Sequence, residues 1–238
     1  QPEEKVLEFG SMLATLQKTT FLVLNLANKE SALEDKRNAL ESKFRSEPQK
    51  NIKLLNRVSE SLREGIHNEA VENKASMILM HWDGKSEGDL IHNQLISDVM
   101  WESQLPLAAA KLTAAPESFE RLVFVVAANM RGVKFNKGSM DLVADIGEAL
   151  DIPIIIFASH HYLKALRQKF NPDQEDSQNE LHEIKEDYVT TISENLKEND
   201  LVLLPSMGMK KRFDKVDGQV PADLLSTIKN SVILFHIP

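Results

Sequence analysis

SMILMHWDG, residues 76–84, and DLVLLPSMG, residues 200–208, decide how this sequence folds. Each is a short apolar run that closes on a glycine. Runs of this length, bounded by turn formers, read as strands buried on both faces, the pattern of a parallel sheet. The segments after them also correspond. EGDLIHNQLIS (87–97) matches DGQVPADLLST (217–227), each with a glycine, Gly88 or Gly218, ahead of a helix; LPLAAAKL (105–112) matches SVILFHIP (231–238). Strand, glycine loop, helix and strand thus occur twice, the signature of a duplicated supersecondary set.

Working outward, helical and strand patterns alternate. Val6, Phe9, Leu13 and Leu16 recur at helix spacing between Glu3 and Gln17. TTFLVLNLA (19–27) is a buried strand. Ser31 with Glu34 forms a capping box for a charged helix reaching about Arg45, and Pro48 ends that region. IKLLNRVSE (52–60) reads as a strand, and Ser61 with Glu64 caps a helix reaching about Lys74. DGKSEGD (83–89) is a loop, and a helix comes next through Leu95, Ile96 and Val99. TAAPES (113–118), small residues with a proline, marks a domain boundary. The pattern then restarts with the strand RLVFVVAAN (121–129), a helix from about Gly138 to Leu150, the strand IPIIIFA (152–158) and the helix HHYLKALRQKF (160–170). NPDQEDSQNE (171–180) is polar, acidic and expected to be mobile. Ser177 and Glu180 are expected to cap one long helix reaching about Asn199, and the last helix begins at about Ala222.

Strands alternating with helices imply parallel sheets with right-handed crossovers. The fold class is therefore α/β, with two tandem parallel-sheet units over residues 1–114 and 119–238. The halves differ. The second opens on a strand before its first helix; the first opens directly on the helix and so starts one strand late. The second half shows no clear third strand. Two expectations result: the halves meet through their last strands, near Leu107 and Ile233, and the first sheet has a gap where its opening strand belongs.

Composition excludes several classes. A net charge of −8 argues against a nucleic-acid partner, which needs a basic surface. The absence of cysteine removes disulfides and thiolate metal sites and suits a reducing compartment. No apolar run approaches the roughly 20 residues that span a bilayer. The seven histidines are scattered, and the adjacent His160 and His161 point to different sides, so no metal site is expected. No Gly-x-Ser-x-Gly elbow appears, and nothing pairs the carboxylates for acid–base work. The chain reads as a binding or regulatory module rather than an enzyme.

The order of elements resembles universal stress protein domains, of the adenine nucleotide alpha hydrolase-like class. MILMHWDG followed by GDLIHNQLISDVMWESQLPLAAAKL is similar to the end of such a domain in the cytoplasmic tails of bacterial cation:proton antiporters. There a Trp follows the fourth strand and two degenerate copies sit in tandem after the membrane domain. RLVFVVAAN resembles the start of a second copy, and QPEEKVLEFGSML resembles the stretch just after the family's first strand. The resemblance implies a non-catalytic regulatory region on the cytoplasmic side of an inner-membrane monovalent cation:proton antiporter. Its partners would be the transport domain of the same polypeptide and possible homodimer contacts, with a small nucleotide as the possible ligand and no required cofactor. The alternative is a free-standing tandem universal stress protein that binds a nucleotide.

Nucleotide-binding members carry two glycines two residues apart after the fourth strand, then a glycine with a small hydroxyl residue nine further on, so that backbone N–H groups cradle phosphates. Here Gly84 and Gly88 are separated by three residues, and Gly208 and Gly218 enclose KKRFDKVD, so neither half has that spacing. Ligands of open α/β sheets bind at the carboxyl ends of the strands. The candidate ligand residues at those ends are Trp82, Asp83 and Gly84 in the first half and Asn129, Ser206, Gly208 and Lys210 in the second, where Lys210 begins the basic triplet Lys210-Lys211-Arg212.

Overall fold

The computed structural model describes residues 2–46, 51–83, 86–87, 90–91, 95–96, 98–99, 104–126, 137–174, 177–184, 187–205 and 219–238. In chain order the elements are α1 (Pro2–Leu16), β1 (Phe21–Ala27), α2 (Glu30–Ser46), β2 (Ile52–Val58), α3 (Leu62–Glu72), β3 (Ile78–His81), β4 (Ser86–Glu87), β5 (Leu90–Ile91) and β6 (Leu107–Lys111), then β7 (Arg121–Val126), α4 (Lys137–Leu150), β8 (Ile154–Ala158), α5 (His160–Phe170), β9 (Glu180–Glu183), α6 (Tyr188–Asn195), β10 (Asp200–Pro205), α7 (Gln219–Thr227) and β11 (Ser231–His236).

Seven strands form one sheet in the order β3-β6-β11-β10-β7-β8-β9. All neighbours run parallel except β6 and β11, which are antiparallel with Leu107 opposite His236 and Ala110 opposite Ile233. The last strands of the two halves therefore meet near Leu107 and Ile233, as their apolar sequences lead one to expect: an exposed apolar edge needs cover, and each covers the other. β1 and β2 stand apart as a parallel pair, with Phe21 beside Ile52, and β4, inside the expected DGKSEGD loop, makes a short antiparallel pair with β5, which lies just beyond it.

The central strands β6, β11, β10, β7 and β8 are almost continuously apolar, as fits a sheet covered on both faces there. Leu122, Phe124 and Val126 of β7 join one core with Val6, Phe9 and Leu13 of α1, Val143 and Ile146 of α4, and Leu166 and Phe170 of α5. Val123 and Val125 face the other core with Ile192 of α6, Leu224 of α7, and Ile96 and Val99. Where a buried charge enters the sheet it is paired. Arg121 opens β7 and Asp200 opens the adjacent β10; Nε donates to Oδ1 at 2.8 Å and an Nη to Oδ2 at 2.6 Å, while the Lys197 amide also donates to Oδ2 at 2.7 Å. The Asp200 carboxylate holds the Arg121 guanidinium pKa above its ordinary value. The segment expected as a domain boundary is packed in place: Pro116 is buried in a 3-10 turn, and the Thr113 amide donates to Ser231 Oγ at 2.9 Å.

Several expectations change. No helix spans residues 177–199. Residues 180–183 form β9, parallel to β8 with Ile155 beside Glu180, so the second half does have its third strand. Strand pairing supplied by β8 overrides the helical pattern of LHEIKEDYVTTISENL. The cap sits ten residues later than Ser177, at Asp187, whose carboxylate accepts from the Val189 and Thr190 amides at 3.1 and 3.2 Å. Ser61 does cap its helix, with Ser61 Oγ accepting from the Glu64 amide at 3.3 Å. Ser31 instead lies inside α2, which already begins at Glu30.

Candidate functional site at the carboxyl edge of the sheet

Chain direction defines where a ligand could enter. From β7 the chain crosses through α4 on the first face to β8, then reaches β10 and crosses through α7 on the opposite face to β11. β7 and β10 are adjacent and parallel, and the helices that follow them, α4 and α7, lie on opposite faces. This divergence is the topological switch point at which open α/β sheets leave a crevice. It is bounded by Val126 at the end of β7 and Pro205 at the end of β10. Asn129 follows the first, and Ser206, Gly208 and Lys210 follow the second; all four lie outside the described residues.

Ser159 is the described polar residue beside this edge. It follows β8, is 4% exposed, and caps α5 in an extended conformation without a side-chain cap bond. Its amide donates to the Val126 carbonyl at 3.0 Å, with its hydroxyl 3.4 Å from the same oxygen, so it ties β8 to the end of β7. Next to it, His160 Nδ1 lies 3.2 Å from Glu183 Oε1 at the end of β9, and the His182 ring stacks on Phe157 with centroids 5.1 Å apart. The sequence reading passed over Ser159 and Glu183. The signal for Ser159 was present, a hydroxyl residue directly after the apolar run IIIFA; the signal for Glu183 was hidden with β9.

The first half offers a different edge. Trp82 is 1% exposed and packs in the second core with Ile96, Val99 and Leu107, and its amide donates to the Ala110 carbonyl at 2.9 Å. Its indole holds the layer beneath β3 together instead of lining an open turn. Asp83 is exposed, and Gly84 lies outside the described residues. Among the described residues no strand lies beside β3 on the side away from β6, so no switch point forms there.

The shifted ionisable groups all move away from neutrality. Hydrogen bonds from Lys169 and Thr190 hold the Asp141 and Asp187 carboxyls below their usual range, and burial, aided by the charges of Asp223 and Asp187, pushes Tyr188 up to about 12. None of these is poised for proton transfer near pH 7. Among the described residues no cluster of His, Asp and Glu could hold a metal ion, and no helix is long and apolar enough to cross a membrane.

No family model matches the chain, and no curated protein matches it. Solved structures do. A universal stress protein from Archaeoglobus fulgidus DSM 4304 aligns over 98% of this chain and 92% of its own, with a TM-score of 0.62 and 13% identity. A universal stress protein from Pseudomonas aeruginosa UCBPP-PA14 aligns over 97% and 87%, with a TM-score of 0.59 and 14% identity. The cytoplasmic domain of a prokaryotic cation chloride cotransporter aligns over 99% and 92%, with a TM-score of 0.59 and 13% identity. The chain thus has a universal stress protein-like α/β fold, one that also occurs in a transport protein's cytoplasmic domain.

Proposed function

We propose that this chain is a non-catalytic regulatory region of a membrane ion transporter, on its cytoplasmic side, and more narrowly of a monovalent cation:proton antiporter. The observation that carries this reading is the alignment, over nearly the whole of both chains, with the cytoplasmic domain of a cation chloride cotransporter. The antiporter assignment rests on the sequence resemblance around Trp82 and Gly84. In this reading residues 1–114 and 119–238 are two degenerate copies of one unit. The transport domain of the same polypeptide is the partner, and ligand or contact signals pass to it through the shared sheet.

Any small ligand is held by the second copy, at the switch point between β7 and β10, where Asn129, Ser206, Gly208 and Lys210 follow the strand ends. The first copy has no switch point among the described residues, and neither copy has the glycine spacing that closes a loop on a triphosphate. Lys210 and Lys211 add charge without fixed geometry. The alternative, a free-standing stress protein that binds a nucleotide, predicts the opposite. Isothermal titration with ATP and AMP separates the two. Weak or no ATP binding is expected. Micromolar ATP affinity lost on Gly84→Ala would overturn the reading; weak nucleotide binding lost on Gly208→Val, with the circular dichroism unchanged, would support it.

A further inference from the structure

The antiparallel seam puts unlike ends of the two halves on one edge of the molecule. Leu107 opens β6 and pairs with His236 at the end of β11. The amino ends of the first half's strands therefore lie beside the carboxyl ends of the second half's, where the switch point between β7 and β10 opens. α1 and β1 keep this polarity. Lys5, near the start of α1, donates to the Thr113 carbonyl beyond the far end of β6, whereas Gly10 faces both Phe21, which opens β1, and Leu79, near the start of β3. Four exposed lysines stand on this edge: Lys18 after α1, Lys53 at the start of β2, Lys74 after α3 and Lys137 at the start of α4. Of its carboxylates, Glu183 meets His160, and Asp187 accepts from two amides of its own helix.

Lys18 and Lys74 also share a backbone conformation. They sit at φ 52° and 53°, the left-handed position that closes a helix and that glycine fills most easily. The amides that follow, Thr19 and Ala75, donate back to the Ala14 and Ala70 carbonyls at 2.8 Å, so each lysine is fixed on a closed cap. Asp151 takes the same place after α4, at φ 54°, on the opposite edge, although the carboxyl end of a helix disfavours an anion. The sign of the charge thus follows the edge and not the helix dipole. Asp83, Glu117, Glu120 and Glu198 are exposed on that opposite edge as well.

We propose that the lysine-bearing edge docks on an anionic phospholipid surface, with the acidic edge turned away. The inference rests on the reading of this chain as a region beside a membrane, and it adds the orientation there. The net charge of −8 does not oppose it. β7 has six residues. At about 3.3 Å each they separate the two edges by about 20 Å, more than twice the screening length of about 8 Å at physiological salt. A surface approaching the lysine edge feels that edge alone, and each lysine on it is attracted by the negative potential of the leaflet. In sequence, the segments 127–136 and 206–218, which follow β7 and β10, hold six basic residues and two acidic ones.

The test is co-sedimentation of the 238-residue chain with vesicles of phosphatidylcholine alone and of phosphatidylcholine mixed equally with phosphatidylglycerol. Binding is expected with the anionic vesicles only, and it should be lost in high salt. The triple variant Lys18→Glu, Lys53→Glu and Lys74→Glu should lower the partition coefficient by about tenfold or more. A matched triple on the opposite edge, Lys29→Glu, Lys197→Glu and Lys229→Glu, changes the net charge equally and should keep binding; all six side chains are exposed. Equal loss in both triples, binding that high salt does not weaken, or no preference for the anionic vesicles would overturn the proposal. Retention on heparin without vesicle binding would also overturn it, since an acidic polymer would then be the partner. None of these outcomes touches the transporter reading, which turns on whether a transport domain belongs to the same polypeptide.

Discussion

Ile233 of β11 lies directly opposite Ala110 of β6 in an antiparallel pair, and both are fully buried. This register joins β3 and β6 of the first half to the five strands of the second in one sheet, between two cores to which both halves contribute. Deleting the Ile233 side chain to Ala should therefore destabilise both halves, by about 2–5 kcal/mol for a buried Ile. Trp82, buried on the first-half side, reports on that half. In a Trp101→Phe background, urea midpoints from Trp82 fluorescence and from far-UV circular dichroism should fall together. Separate midpoints, with Trp82 unaffected, would show that the seam does not couple the halves.

The Arg121–Asp200 pair lies at the amino ends of β7 and β10, with the Asp200 side chain fully buried and Arg121 at 16% exposed. Removing one partner leaves a charge or donors poorly satisfied. Asp200→Ala should cost about 3–5 kcal/mol. The double variant Arg121→Met with Asp200→Leu should recover part of that loss, because no unpaired charge remains. Urea unfolding of the single and double variants checks this.

Gly10 is placed by close packing. Helix propensity alone would favour alanine there by about 1 kcal/mol, but its Cβ would meet the Phe21 ring at 2.6 Å. Gly10→Val should destabilise by about 1–3 kcal/mol, the usual cost of overpacking. Its exchange signature should centre on β1 and β3, the two strands that α1 spans.

Asp141 and Asp187 have carboxyl pKa values lowered by hydrogen bonds from Lys169 and Thr190. Their folded pKa values lie below the unfolded ones. Their contribution is therefore present above the ordinary carboxylate pKa of about 4 and is lost as the pH falls through the folded values. Thermal melts from pH 6 down to pH 3 should show stability falling mainly below about pH 4. Asp187→Asn with Asp141→Asn should flatten that fall, since neither amide titrates.

The legibility of each strand depends on what it buries. β6, β7, β8, β10 and β11 have apolar residues on both faces, so their sequences announce strands without reference to neighbours. β9 does not: ELHE has Leu181 as its only apolar residue, and its strand character comes from pairing with β8, which no local pattern contains. The meeting of Leu107 with His236 and of Ala110 with Ile233 was readable as two apolar edges in need of cover. Of the candidate site only the strand ends were legible. They identify the edge beyond Val126 and Pro205, while the sequences around Asn129 and Lys210 have no periodicity to read. Trp82 follows β3 as its sequence position indicates, but its full burial was not readable, because an aromatic after a strand looks the same whether it lines a turn or anchors a core.

The central claim is that this chain works as the regulatory region of a membrane transport polypeptide. It is tested most directly by immunoblotting cells that make it natively with an antibody raised against these 238 residues. The account predicts a single band much larger than the 238-residue chain, confined to the membrane fraction and released by detergent but not by high salt. A band of the size of these residues alone, found in the soluble fraction, would contradict it.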